Sequence, residues 1–349
     1  MAQLPSKSLS LLRRFLTPNK PYHAQWLLTR RCNYRCRSCD VWREQENLKE
    51  LSTNQVKLGL DILRKLGVAE LVLSGGNPLL RDDIDEIIEY ASRFFITTVY
   101  DNGSMAVRKI DALRNADFVA ISLDTLDEEK NDHMKGVPGA WRKAMQAIQT
   151  LQEEGIFVGV SPTISRLNMH EIINFTTYFI HRGIPVWYCL YSYDRPIKNQ
   201  LFTIGKKNDE MEITDRKAMV DICDKLIEMK KEHPRIFITN KTLSALRHFF
   251  LNGQRTWKCT ALQGFLMVDH LGRVAGCHLR KPVVSLFELL DVWDSPRFER
   301  LRKEYSECTR CTYLCYIFYS LYSTIPTNMG IIRDQRKNIE WLLTEVVRT

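Results

Sequence analysis

Residues 24–39 read Ala-Gln-Trp-Leu-Leu-Thr-Arg-Arg-Cys-Asn-Tyr-Arg-Cys-Arg-Ser-Cys. Ala24–Thr29 is strand text, and the loop after it carries Cys32, Cys36 and Cys39 in the spacing Cys-x3-Cys-x2-Cys. Parallel α/β folds place their chemistry in loops at the C-terminal ends of strands. Three thiols within eight residues at such a place are too close together to be chance core residues. Arg30, Arg31, Arg35 and Arg37 surround them and can offset the negative charge of metal-bound thiolates. The thiols therefore read as metal ligands, and the strand before them as the first stave of a parallel sheet.

Outward from this loop, short apolar runs alternate with helical periodicities as far as about residue 232. Ser52 with Gln55 forms a capping box for a helix that Gly67 ends. Glu70–Ser74 is a second strand, after which Ile84, Ile87, Ile88 and Ala91 share one helical face. Phe95–Val99 and Phe118–Ser122 read as strands three and four. Trp141, Ala144, Ile148 and Leu151 mark a helix that stops at Gly155. Phe157–Ser161 and Val186–Leu190 are strands five and six, with a helix near Met169–His181 between them. Six strand–helix units in strict alternation imply parallel strands joined by right-handed crossovers. Such units either curl into a full or partial barrel or open into a doubly wound sheet.

After about residue 235 the pattern changes. Met267–Asp269 and Arg273–Gly276, joined by a turn at His270–Gly272, read as a hairpin, and helical text resumes at Ser285. The expected divisions are a basic amphipathic segment over 1–22, a barrel over 23–235, a small cysteine-bearing domain over 236–325 and a terminal helix over 326–349. An aromatic stretch from Tyr313 to Tyr322 is expected to pack onto the barrel.

The 349 residues are 44% hydrophobic and 26% charged, ordinary globular usage that excludes a disordered or fibrous chain. Apolar stretches fall short of the ~20 residues that span a bilayer. Ten cysteines without an export signal point to thiols kept reduced in the cytoplasm. The net charge of +9 is concentrated, because residues 1–40 hold eight Lys or Arg and one acid, Asp40. A nucleic-acid binder spreads basic residues with interleaved aromatics over a face, so nucleic acid is not the expected substrate. Leu9, Leu12, Phe15 and Leu16 beside Lys7, Arg13 and Arg14 suit a terminus packed on the fold or a peripheral membrane contact.

A structural zinc site takes four protein ligands, and four cysteines saturate a [4Fe–4S] cluster. Three thiolates leave one iron open, as a reactive site requires. The segment Cys32–Cys39 resembles the signature of radical S-adenosylmethionine (SAM) enzymes, and the likeness extends over most of residues 24–315. The resemblance implies an α/β fold, a partial (β/α)6 TIM-type barrel with a small C-terminal iron–sulfur domain. It also implies a [4Fe–4S] cluster on Cys32, Cys36 and Cys39 whose open iron chelates the methionine part of SAM. Reductive cleavage of SAM then releases a 5′-deoxyadenosyl radical that takes a hydrogen atom from substrate, with a flavodoxin- or ferredoxin-type protein as electron donor.

The same likeness assigns cofactor contacts. Leu73-Ser74-Gly75-Gly76-Asn77-Pro78 resembles the family's Gly-Gly-Glu-Pro motif, so Gly75, Gly76 and Asn77 are expected beside the SAM amino group. Asn77 stands in place of the glutamate, and its amide oxygen accepts without the charge that strengthens such a bond. Asp101-Asn102-Gly103 resembles a Thr-Asn-Gly segment of relatives, which marks Asn102. Ser122-Leu123-Asp124 and Asn131–Gly136 resemble segments that contact the SAM carboxylate, which marks Ser122, Asp124 and Lys135. The lysine is a point charge where relatives have an arginine fork. Ser161, with Thr163 and Asn168, follows strand five as a further SAM contact. Tyr191 and Asp194, near Cys189 beyond strand six, are the candidates for proton or hydrogen-atom transfer at the barrel mouth.

Five of the ten cysteines follow residue 258: Cys259, Cys277, Cys308, Cys311 and Cys315. With Leu286–Ser295 between them they resemble the twitch or SPASM-type extension of the same family, which implies one auxiliary [4Fe–4S] cluster for electron transfer or substrate binding. Cys259, Cys277, Cys308 and Cys311 match the shorter arrangement, and Cys315 is then spare or an alternative ligand. A zinc knuckle on the same thiols is the other reading. The expected function is that of a radical SAM oxidoreductase acting on a small-molecule or lipid-like biosynthetic intermediate, because no extra peptide-recognition domain is evident before Cys32. A peptide-modifying maturase is the alternative and, in a different class, a non-catalytic zinc or iron–sulfur module.

Overall fold

The computed structural model of the chain describes residues 20–43, 49–192, 210–308 and 312–322. Strand β1 (His23–Thr29) is followed by helix α1 (Thr53–Leu66), β2 (Glu70–Gly75), α2 (Ile84–Ser92), β3 (Ile96–Asp101) and the short α3 (Ile110–Leu113). Then come β4 (Phe118–Ile121), α4 (Glu128–Lys135), α5 (Ala140–Glu153) and β5 (Val158–Val160). Local chemistry sets these ends. Ser52 and Gln55 cap α1 reciprocally, and Gly67 closes it in the left-handed conformation. Val56, Leu60, Leu63 and Leu66 face inward from α1, and Ala144, Ala147, Ile148 and Leu151 from α5.

The strands pair in parallel and in chain order, β1-β2-β3-β4-β5. A doubly wound sheet reverses its strand order partway, whereas a barrel keeps it sequential. The chain therefore adopts the barrel-type α/β fold, not the open-sheet alternative. Beyond β5 the staves shorten. Pro162, which has no N–H to give a ladder, separates β5 from β6 (Thr163–Ile164). After α6 (Ile172–Ile180), Val186 bridges Val160 and Ile236 in parallel, and β7 (Cys189–Leu190) pairs with β6. The sixth strand expected over Val186–Leu190 is thus a bridge plus a two-residue strand.

Helices α7 (Arg216–Lys230) and α8 (Asn240–Asn252) lead to β8 (Phe265–Val268), β9 (Arg273–Ala275) and β10 (Val284–Ser285). The expected hairpin is present, and Asp269 builds its turn by accepting from the N–H groups of Leu271 and Arg273 at 3.0 and 2.8 Å. Its first strand, β8, adds in parallel to the free edge of β1, giving one eight-stranded sheet in the order β10-β9-β8-β1-β2-β3-β4-β5. The Trp26 indole donates to the Asp269 carbonyl at 3.2 Å across this junction, and one hydrophobic core runs through both parts.

Helices α9 (Leu289–Val292), α10 (Pro296–Ser306) and α11 (Leu314–Leu321) complete the described chain. Tyr319 of α11 stacks on His23, ring centroids 3.8 Å apart, and its hydroxyl donates to Glu70 at 3.1 Å, at the start of β2. Tyr313, just before α11, donates to the Ser192 carbonyl at 3.1 Å, beyond the end of β7. The aromatic stretch therefore connects the two rims of the barrel. Among the described residues no helix is long and apolar enough to cross a membrane. The expected terminal helix over 326–349 and the amphipathic residues 1–19 lie outside the described residues.

Candidate active site

The loop from Arg30 to Asp40 is held by three separate segments. The N–H groups of Gly76 and Asn77 donate to the Thr29 and Arg31 carbonyls, both at 2.7 Å. A Cβ at Gly76 would stand 2.2 Å from the Arg31 carbonyl oxygen, so only glycine permits this approach. Asn33 donates to Ser104 Oγ at 2.8 Å and accepts from Asn102 Nδ2 at 2.9 Å. On the third side, Arg35 and Arg37 N–H groups donate to the carbonyls of Lys135 and Met134 at 3.2 and 2.9 Å. Gly136, in the left-handed conformation that ends α4, makes room for the Arg35 carbonyl. Four stretches picked out in the sequence thus meet at the C-terminal ends of β1 to β4.

The three thiols are electrostatic neighbours. Burial pushes Cys36 and Cys39 up to about 12; the negative charge of Cys32 raises both, and that of Cys36 raises Cys39 further. Burial raises Cys32 as well, against Arg35 and Lys135, which lower it. Such a set resists ionising on its own and gains from a bound cationic metal centre. The donors, all sulfur on one short loop, fit an iron–sulfur cluster. Among the described residues no three His, Cys, Asp or Glu groups are drawn together around a single metal ion.

Lys135 is the strongest electrostatic feature beside the loop. Its ammonium is 2.8 Å from Asp124 Oδ2 and donates to Ser122 Oγ at 2.7 Å. Burial pulls its pKa down, but Asp124 and the nearby thiols of Cys36 and Cys189 outweigh this and keep it charged. Asp124 also accepts from the Thr163 N–H at 2.9 Å, and Asn168 donates to the Asp124 carbonyl at 2.7 Å. Ser161 Oγ lies 3.7 Å from Cys189 Sγ. Asn77 is buried; its Oδ1 accepts from the Leu79 N–H at 3.0 Å and its Nδ2 donates to Asp101 at 2.6 Å.

Sequence patterns did not reveal Glu50 and Arg81. Glu50 accepts from both Thr29 Oγ1 and the Arg31 guanidinium at the base of the cysteine loop. Arg81, buried, bonds to Glu50, Asp83 and the carbonyls of Leu28 and Leu51. No spacing marks Glu50, because its partners Thr29, Arg31 and Arg81 lie 19 to 31 positions away. Tyr191 is buried with Met134 and Met211 in a small apolar cluster. Asp194 lies outside the described residues.

A cavity opens among β9, α10 and α11. Cys259, Cys277 and Cys308 line it together with Arg255, Arg280 and Tyr305. Burial raises the Cys259 thiol, and Cys308 raises it further. Arg255 donates to the Cys308 carbonyl at 3.2 Å, and the two guanidinium groups offset thiolate charge there. Three sulfurs and two arginines around one cavity fit a thiolate-bound cluster. Cys311 lies outside the described residues. Cys315, on α11, does not line the cavity; its charge acts on Tyr100 of β3 and on Tyr319. His278, next to Cys277, is buried and bonded to the Tyr316 hydroxyl at 2.6 Å.

The sequence profile of the radical SAM superfamily matches residues 26–178. The chain is 35% identical over 173 residues to the Fe-coproporphyrin III synthase of Methanosarcina barkeri, covering 48% of this chain and 43% of that protein. It is 31% identical over 157 residues to AlbA, an antilisterial bacteriocin subtilosin biosynthesis protein of Bacillus subtilis, covering 44% of this chain and 35% of that one. The matched part thus spans less than half the length of these curated relatives. Among solved structures, Streptococcus suis SuiB bound to precursor peptide SuiA superposes with a TM-score of 0.62 at 18% identity, over 95% of this chain and 78% of that one.

Proposed function

We propose that the chain is a radical SAM oxidoreductase acting on a small-molecule or lipid-like biosynthetic intermediate; the match of residues 26–178 to the radical SAM superfamily profile supports this reading. The convergence of the cysteine loop with Gly76–Asn77, Asn102–Ser104 and Lys135–Gly136 carries this proposal. Cys32, Cys36 and Cys39 would hold a [4Fe–4S] cluster, and residues at the C-terminal ends of β2, β3 and β4 would contact SAM. Cluster and SAM together supply one-electron cleavage of a C–S bond and a 5′-deoxyadenosyl radical.

The chain's own residues orient and shield. Lys135, held in place by Asp124 and Ser122, offers a fixed positive charge to the SAM carboxylate. Gly75 and Gly76 keep β2 against the cysteine loop, and Asn102 and Ser161 lie on neighbouring strand ends. Tyr191 and Asp194 are the proposed proton or hydrogen-atom donors. Cys259, Cys277 and Cys308, with Cys311 from outside the described residues, would hold an auxiliary [4Fe–4S] cluster whose charge Arg255 and Arg280 would offset. The exposed Arg35, Arg37 and Arg43 around the first loop suit docking of an acidic flavodoxin- or ferredoxin-type donor.

Tyr100 accepts a hydrogen bond from the Trp187 indole at 2.7 Å, and Ser161 and Cys189 lie beside it. The test is anaerobic reconstitution with iron and sulfide, followed by SAM and dithionite. Formation of 5′-deoxyadenosine is expected, with deuterium transferred into it from a labelled small-molecule substrate. Deuterium arriving only from a peptide replaces the substrate class with that of a maturase. Zinc without iron, and intact SAM, would indicate a non-catalytic module.

A further inference from the structure

Asp101 ends β3 beside the cysteine loop and is 2% exposed. Its Oδ1 accepts from Asn77 Nδ2 at 2.6 Å. Its Oδ2 accepts from the N–H groups of Gly103, Met105 and Ala106 at 2.9, 3.3 and 3.1 Å. All four donors are neutral, and among the described residues no lysine, arginine or histidine forms an ion pair with it. A buried carboxylate held only by neutral donors is costly, and a cation nearby relieves that cost. The Asp101 charge acts on Cys32 and Tyr34 in the loop. Lys135 acts on Cys32 as well. The loop's first thiol therefore feels both a buried carboxylate that has no ion pair among the described residues and a buried ammonium. An amino acid zwitterion, with one ammonium and one carboxylate, complements that pair of charges.

The orientation of Asn77 is unambiguous. Its Nδ2 faces three acceptors, Asp101 Oδ1, Asn102 Oδ1 and Ser104 Oγ, and its Oδ1 faces the Leu79 N–H. Asn77 is thus a neutral spacer locked to a charged neighbour. We propose that Asp101 supplies the negative charge that holds the ammonium group of SAM's methionine moiety, with Asn77 as the positioning residue between β2 and β3. This rests on the SAM-binding role proposed above for the same strand ends.

The experiment is calorimetric titration of the anaerobically reconstituted full chain with SAM and with deaminated SAM, which carries hydrogen in place of the amino group. In Asp101→Asn, SAM affinity is expected to fall about tenfold or more, while affinity for the deaminated analogue changes by less than about threefold. A merely structural role would weaken both ligands alike. The combined Asn77→Asp and Asp101→Asn variant exchanges donor and acceptor along the same 2.6 Å bond, keeps a side-chain oxygen that accepts from the Leu79 N–H, and moves the charge across the pair. It is expected to recover the wild-type preference for SAM to within about threefold. Where Asp101→Asn does not fold, Asp101→Ser is the neutral variant. An unchanged preference in the neutral variant, or equal loss of both ligands, overturns the proposal. A wild-type chain that binds neither ligand refutes the SAM site itself, and the proposal with it.

Discussion

Gly76→Ala tests how tightly the cysteine loop is tied to the sheet. The added methyl carbon would lie 2.2 Å from the Arg31 carbonyl oxygen, 2.7 Å from its carbon and 2.8 Å from the Arg30 carbonyl oxygen. These are backbone atoms, so no side-chain rotation relieves the clash, and the loop base must retreat by about 1 Å to reach ordinary contact. That movement breaks or stretches the 2.7 Å bonds from Gly76 and Asn77 to Thr29 and Arg31. Overpacking costs ~1–3 kcal/mol and each of the two hydrogen bonds ~0.5–1.5 kcal/mol, so the variant should lose about 2–6 kcal/mol. Gly139→Ala is the control, since its φ is +75° but nothing lies within 4 Å of the added carbon. It should cost only the left-handed strain, ~1–2 kcal/mol. The assays are urea unfolding and iron retained after gel filtration of the reconstituted protein. Gly76→Ala should keep only the auxiliary-site iron, about four per chain, and Gly139→Ala the full complement. Equal stability losses in the two variants, with full iron in both, would refute the reasoning.

Lys135→Met leaves Asp124 buried without its cation and should cost about 3–5 kcal/mol by urea unfolding, toward the lower end because the Thr163 N–H still serves the carboxylate. A loss under about 1 kcal/mol would show that the pair is not a buried one. Burial lowers the His278 imidazole from 6.5 to about 3 in the folded chain. The unfolded chain takes up that proton as pH falls below about 6.5, so stability should drop by ~1.4 kcal/mol per pH unit from there toward pH 3. His278→Gln should flatten the acid limb by that slope between pH 6 and 4.5, measured as urea midpoints, and an unaltered limb contradicts the assignment.

The barrel was legible because its signals are local. The apolar run Ala24–Thr29, the capping box at Ser52 and Gln55, and the stop at Gly67 each act within a few residues, and the structure reproduces them. The parallel addition of β8 to β1 was not legible, since edge pairing joins residues more than 240 positions apart and leaves no periodic trace. The same holds for Glu50 and Arg81 at the loop base. Gly76 illustrates a motif whose residue type was visible but whose physical cause was not: the close neighbour is the Arg31 carbonyl of the chain itself. From the motif alone, Asn77→Glu is expected to keep or improve SAM binding; a glutamate there would also set a second buried carboxylate against Asp101, which opposes that gain. Cys315 could not be separated from the other late cysteines by spacing, and only the direction of α11 carries its charge toward Tyr100.

The most direct measurement compares iron content and SAM cleavage in two sets of cysteine variants. The wild-type chain should take up about eight irons on anaerobic reconstitution, and the Cys32→Ala, Cys36→Ala, Cys39→Ala triple variant about four. That triple variant should produce no 5′-deoxyadenosine with SAM and dithionite. Cys308→Ala combined with Cys311→Ala should also hold about four irons yet still cleave SAM, without turnover of substrate. Retained SAM cleavage by the folded triple variant would contradict the assignment of radical chemistry to the loop that follows β1.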